Sequence, residues 1–432
     1  MPKLARSEIR MNTRSLARTL IIAAAAFASL LPGAALAQVA IKAKTLHTMA
    51  GPAITDGVVI IQNGKIAAVG PAATTPIPDG LRILETNVAT PGLIDARCTV
   101  GVSGLLNQKQ DQDQLERSGP IQPELRAIDA YNPLDPLVDH VRSFGVTTIN
   151  TGHAPGELIS GQTALIKLRG TTVDEAVIKP VSAIAATLGP GAQRDSAPGT
   201  RAKMVSMLRE QLIKARDYQK SLDKAAQPAA AGPDGKPATA AELPARDLRL
   251  ELLAQVLKGE IPLLISANRA QDIASVLRLK EEFSTLRIVL DSGSEAYLLT
   301  AELKAAGVPV FLHPTMIRAF GEMENMSVET ASKLRAAGID VAIQGGFESY
   351  VPKARVILFE AAIAAANGLS FDEALATITT TPARILGVAD RVGSLEVGKD
   401  GDVALYSGDP FEYTTLCTGV VIDGVVMSEK PR

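Results

Sequence analysis

The chain has 432 residues, 46% hydrophobic and 21% charged, with no Trp, two Cys and a formal net charge of -2. That much apolar chain supports about two to four domain-sized units, or one large barrel with a satellite, and it excludes a disordered chain, a collagen-like repeat and a disulfide-dense module. A charge so near zero, without a long basic stripe, argues against a nucleic-acid binder.

Leu20 to Leu31 is almost wholly apolar, preceded by Arg14 and Arg18 and followed by Ala35-Leu36-Ala37. This is the order of a secretory signal: positive end, apolar middle, small-residue cleavage site. About twelve apolar residues fall short of the ~20 that a membrane span needs. The expectation is a signal peptide over 1–37 and an exported product, for which a bacterial periplasm fits, with no membrane attachment after cleavage. Without that segment 39 basic groups stand against 45 acidic ones, a net charge of -6. Cys98 and Cys417 fall in different predicted domains and are expected as free thiols.

Val58 to Val69 reads as a hairpin turning at Asn63-Gly64, because both positions of a two-residue turn need positive φ. Gly92 to Asp95, Val146 to Asn150 and Thr163 to Leu168 are strand candidates, and Asp135 to Phe144 is a helix candidate. Residues 225–245 are rich in Ala, Pro and Gly and read as a low-complexity excursion. Regular alternation follows: strands at Ile261–Ser266, Leu286–Asp291, Val308–Leu312 and Ile339–Ile343, each followed by a helical stretch. Ser370 and Glu373 form a capping box. Short apolar strands alternating with helices predict an α/β fold with parallel strands, a (β/α)8 barrel or a doubly wound sheet. The end of the chain returns to β, with Val403–Tyr406, Gly419–Ile422 and a turn at Asp423-Gly424.

At this point Thr90-Pro91-Gly92-Leu93-Ile94-Asp95 resembles the start of the first barrel strand of the amidohydrolase superfamily. Thr380 to Gly387 resembles its last barrel helix, and Gly393 to Asp402 resembles the exit into its small β domain. Asn132-Pro133, Ile159 to Gln162 and Glu295 to Tyr297 are similar to its exported, imidazolonepropionase-like members. The resemblance implies a (β/α)8 TIM-like barrel over 92–392 and a composite β-sandwich from both chain ends, 38–91 and 393–432. It further implies zinc or another divalent ion at the C-terminal mouth of the barrel. His-x-His on strand 1, histidines on strands 5 and 6 and an aspartate on strand 8 would hold that ion, and it would activate a water toward a C–N bond.

At those positions the chain departs from the family. Arg97 and Thr99 stand for His-x-His, Ser266 or Asn268 for the strand 5 histidine, Ser292 for the strand 6 histidine, and glycines up to Gly346 for the strand 8 aspartate. Zinc takes three or four protein ligands, and neutral Ser, Thr, Asn and Gly do not offset the cost of dehydrating it. The expectation is therefore no metal cofactor. Arg97 either replaces the lost cation and binds a carboxylate bidentately, or pairs with Asp95 or Glu348 as a plug. Cys98 beside it is either a nucleophile or a packing residue. His153 and His313 follow barrel strands and face the mouth, where Glu348 or Asp291 would partner them.

Three functions follow: an inactive or weakly active homologue that partners an active amidohydrolase chain or itself; a metal-free hydrolase using Arg97, Cys98, His153 and His313; or a protein that binds a small anion at the mouth.

Overall fold

The computed structural model describes residues 38–227, 243–316 and 318–431. The expected signal peptide, and residues 228–242 of the expected excursion over 225–245, lie outside the described residues. Among the described residues no helix is long and apolar enough to cross a membrane.

Both predicted two-residue turns form. Gln62 pairs with Lys65 across Asn63 (φ 54°) and Gly64 (φ 77°), and Ile422 pairs with Val425 across Asp423 (φ 48°) and Gly424 (φ 74°). They sit in one continuous seven-stranded sheet. In chain order its strands are β1 Val39–Leu46, β2 Ile54–Gln62, β3 Lys65–Pro71, β4 Arg82–Pro91, β13 Val403–Tyr406, β14 Cys417–Ile422 and β15 Val425–Ser428; in space the order is β15-β14-β13-β4-β1-β2-β3. The sheet curls until its two hairpin tips meet. Gly424 N donates to Gly401 O at 3.0 Å, and Gly401 N donates to Gly64 O at 2.8 Å. Alternation along a strand divides the side chains between two faces. Leu405 and Val421 turn into the sheet's own core with Ile41, Leu46, Ile61 and Ile66. Tyr406, Val420 and Ile422 turn the other way and pack with the barrel.

The barrel strands are β5 Leu93–Cys98, β6 Val146–Gly152, β7 Ile159–Lys167, β8 Val177–Thr187, β9 Leu263–Ala267, β10 Ile288–Ser292, β11 Val310–Leu312 and β12 Val341–Ile343, hydrogen-bonded in sequence order. The seam between β12 and β5 is closed by Gly346 N donating to Arg97 O at 2.9 Å. There the buried Asp95 carboxylate also accepts from Gly345 N at 2.9 Å. From β8 to β12 the strands are parallel, and helices Ala270–Glu282, Thr300–Ala306 and Thr330–Ala336 alternate with them as expected. The first half departs from (β/α)8 regularity, because β7 runs antiparallel to both β6 and β8. Only residues 153–158 separate β6 from β7. A parallel crossover needs a dozen residues or more, so the chain can only turn back.

Ile94, Ala96, Leu165, Ala183, Leu264, Val289, Phe311 and Ala342 fill the barrel interior. On strands of period two, the residues two steps onward from the last four are Ser266, Asp291, His313 and Gln344. They form the next inward layer, at the C-terminal mouth.

Candidate functional site

A cavity of about 190 Å³ opens at the mouth, lined among others by Arg97, Cys98, Thr99, Asn268, Asp291, Ser292, His313, Gln344, Gly346 and Glu348. Five of the six positions read as replaced metal ligands thus meet in one place: Arg97, Thr99, Asn268, Ser292 and Gly346. The sixth, Ser266, stands beside Asp291 in the same inward layer and donates its hydroxyl to it.

Arg97 reaches this layer because β5 shifts register between Asp95 and Cys98, and such an irregularity re-aims the side chain that follows it. The side chain is 2% exposed. Its Nη1 donates to Cys98 O at 2.9 Å and its Nη2 to His153 O, while its Nε has no partner. A guanidinium carries five N–H donors, so more than half are unused by the described residues. Neither expected acid pairs with it. Asp95 accepts from the Arg97 backbone N at 3.1 Å and serves the seam, and Glu348 is held by Arg355. The plug reading is therefore corrected. Burial pulls the Arg97 pKa down from its usual value, and Asp291 opposes that through space ahead of Cys98 and Asp95.

Asp291 is also 2% exposed. It accepts from Ser266 Oγ, from Gln344 Nε2 at 2.5 Å and from Ser292 Oγ at 3.4 Å, all neutral donors. Gln344 went unassigned in the sequence, although its place two residues after Ala342 puts it in the inward phase. His313 faces the cavity with Nε2 3.6 Å from Glu348. Arg355 reaches from Glu348 to Glu360 at 3.1 Å, and Glu360 accepts from Thr315 N at 2.6 Å, so this network fixes the loops after β11 and β12.

Two expectations need correction. His153 does not line the cavity: it contributes its carbonyl, while its ring packs over Gly161 with neither nitrogen hydrogen-bonded. Burial, and then Arg97, lower its pKa to about 4, so the ring is neutral. Cys98 is buried, and that burial pushes its thiol well above the usual range despite Arg97. A thiolate nucleophile needs the opposite shift, so Cys98 packs.

The divalent ion that the family resemblance implies does not fit here. At the six expected ligand positions stand a guanidinium, three hydroxyls, an amide and a glycine, where imidazoles and a carboxylate are needed. Asp291 supplies a single carboxylate that already accepts three neutral hydrogen bonds, Glu348 is held by Arg355, and a buried guanidinium faces the same space. Among the described residues the one cluster of acids close enough to share an ion is Asp400, Asp402 and Asp423. It lies under the small sheet, around the buried Lys167 ammonium.

Residues 336–427 match a family described as the amidohydrolase family. The chain is 26% identical over 397 residues to amidohydrolase tasK of Hapsidospora irregularis, covering 87% of this chain but only 40% of that protein. It is 25% identical over 394 residues to the imidazolonepropionase of Sphingopyxis alaskensis, covering 85% and 91%. Among solved structures, an amidohydrolase from Thermotoga maritima superposes with a TM-score of 0.81 at 28% identity, over 91% of this chain and all of that one.

Proposed function

Because the chain belongs to the amidohydrolase superfamily, a family of hydrolases whose barrel fold carries its chemistry at the strand C-termini, we propose that its mouth binds a small carboxylate and does not run metal-assisted hydrolysis. The observation that carries this reading is Arg97, a buried guanidinium with unused donors, no acid paired to it and a cavity in front. A buried charge without an opposite charge is costly, and a carboxylate docked on a guanidinium fork supplies one with two parallel hydrogen bonds. Arg97 positions the anion, and Thr99, Asn268 and Ser292 offer neutral polar contacts around it.

The test has two arms. Elemental mass spectrometry of protein purified without chelator is expected to find far less than one zinc, iron or manganese per chain. Calorimetry with small carboxylates is expected to show binding that Arg97→Met abolishes. A near-stoichiometric metal, or binding indifferent to Arg97, overturns the proposal.

His313 and Glu348, 3.6 Å apart on the same wall, favour a second reading, metal-free acid–base hydrolysis at this site. Turnover of an amide or lactam with a histidine limb in its pH–rate profile, lost in His313→Gln, would establish it.

A further inference from the structure

The mouth holds two buried charges of opposite sign that do not touch. Arg97 spends its bonds on two backbone carbonyls, and Asp291 spends its own on Ser266, Gln344 and Ser292. Both line the one cavity, and neither is ion-paired with any described residue. Proteins bury charges in contact with opposite charges, because isolated ones are costly. Here neutral hydrogen bonds hold each in place, and the space of the cavity is open to both. That space amounts to roughly six water volumes, the size of a small organic molecule.

A simple carboxylate on Arg97 would place its negative charge close to the buried Asp291. A simple amine on Asp291 would face the Arg97 guanidinium. A molecule carrying an ammonium and a carboxylate on one carbon satisfies each wall and meets no like charge. We propose that the cavity takes a small zwitterion, an α-amino acid, with its carboxylate on Arg97 and its ammonium on Asp291. This rests on the carboxylate reading above and adds the second charge to it.

The experiment compares matched ligands by calorimetry on the unaltered chain: the common amino acids, each against the same acid without its amino group (alanine against propionate) and against its amide. The expected result is that at least one amino acid binds about tenfold or more tighter than its deaminated partner, with the amide weak; a charge-assisted hydrogen bond is worth that much. Asp291→Asn should collapse the gap between the two acids. The comparison on the unaltered chain stands even if that variant does not fold. Deaminated acids binding as tightly as amino acids would overturn this inference and leave the carboxylate reading intact. Binding of neither kind of acid would overturn both.

Discussion

Lys167→Met is the sharpest test of how the small sheet is fastened to the barrel. Lys167 ends β7 with its side chain 1% exposed, and its Nζ lies 2.7 Å from Asp400, 3.1 Å from Asp402 and in contact with Asp423. Burial alone would lower the ammonium's pKa, but Asp402, Asp423 and Asp400 outweigh it and hold it above the usual value. The three acids do not depend on it equally. Asp400 keeps Arg391 at 2.9 Å and Lys65 at 2.5 Å, and Asp423 keeps Arg169 at 2.6 Å. Asp402 has no other cation among the described residues, so methionine leaves its buried carboxylate uncompensated. Breaking a buried pair from one side costs about 3–5 kcal/mol. At about 2.1 cal/mol/K per residue, a chain of 432 residues melts with an entropy of about 0.9 kcal/mol/K, so Tm should fall by about 3–6 °C. The assay is calorimetric or fluorescence-detected melting of Lys167→Met, Asp402→Asn and the double variant. The double variant should recover much of the loss, since the two changes share one interaction. A single variant melting within about 1 °C of the parent, or strictly additive losses, would refute the reasoning.

Other outcomes follow from the seam and the buried titratable groups. Gly345→Ala would bring a Cβ to 2.5 Å from an Asp95 oxygen and 2.9 Å from Arg355 O, so it should cost about 1–3 kcal/mol in denaturant unfolding. Asp95 is raised to about 7, by burial above all and against its backbone hydrogen bonds, so its share of stability is lost as pH rises from about 4 to 7. His153, lowered to about 4, contributes stability that is present above about 6.5 and lost as pH falls toward 4. At 1.36 kcal/mol per unit the two opposite slopes are each worth about 3–4 kcal/mol and largely cancel. Unfolding free energy should therefore vary little across this window; Asp95→Asn should make it rise with pH, and His153→Phe should make it fall. Cys98 and Cys417 are both buried with thiols pushed up, Cys417 to about 12, so neither should alkylate at pH 8 until the chain unfolds.

The local features of the fold were legible wherever a single short-range rule decided them. Asn63-Gly64 and Asp423-Gly424 announce their turns, Ser370 and Glu373 their cap, and short continuous apolar runs between helices the strands from β9 to β12. The reversal of β7 was not read, although the short span from Gly152 to Ile159 carries it; the strand candidate began too late, at Thr163. The 26-residue helix Arg201–Ala226 went unassigned because its apolar stripe is narrow, Met204, Leu208, Leu212, Ala215 and Tyr218 among many charges. At the mouth, the family resemblance pointed to Asn268 and Ser292, and the end of the strand that starts at Val308 pointed to His313; all three line the cavity. Neither foretold that Arg97 would stand free of Asp95, since that depends on the irregularity in β5 and on Gly345, 250 residues away.

The turned strand β7 also bears on how the barrel can assemble. β6, β7 and β8 are joined by short connections, so their pairing closes only small loops and costs little chain entropy. The seam of β5 with β12 must instead draw together positions about 250 residues apart, and the small sheet must join both ends of the described chain. Low-contact-order pairing is fast and long-range pairing is slow. The β6–β8 meander is therefore the cheapest place for the barrel to begin, and the mouth, whose walls come from both sides of the seam, acquires its final shape only when the last long loop closes.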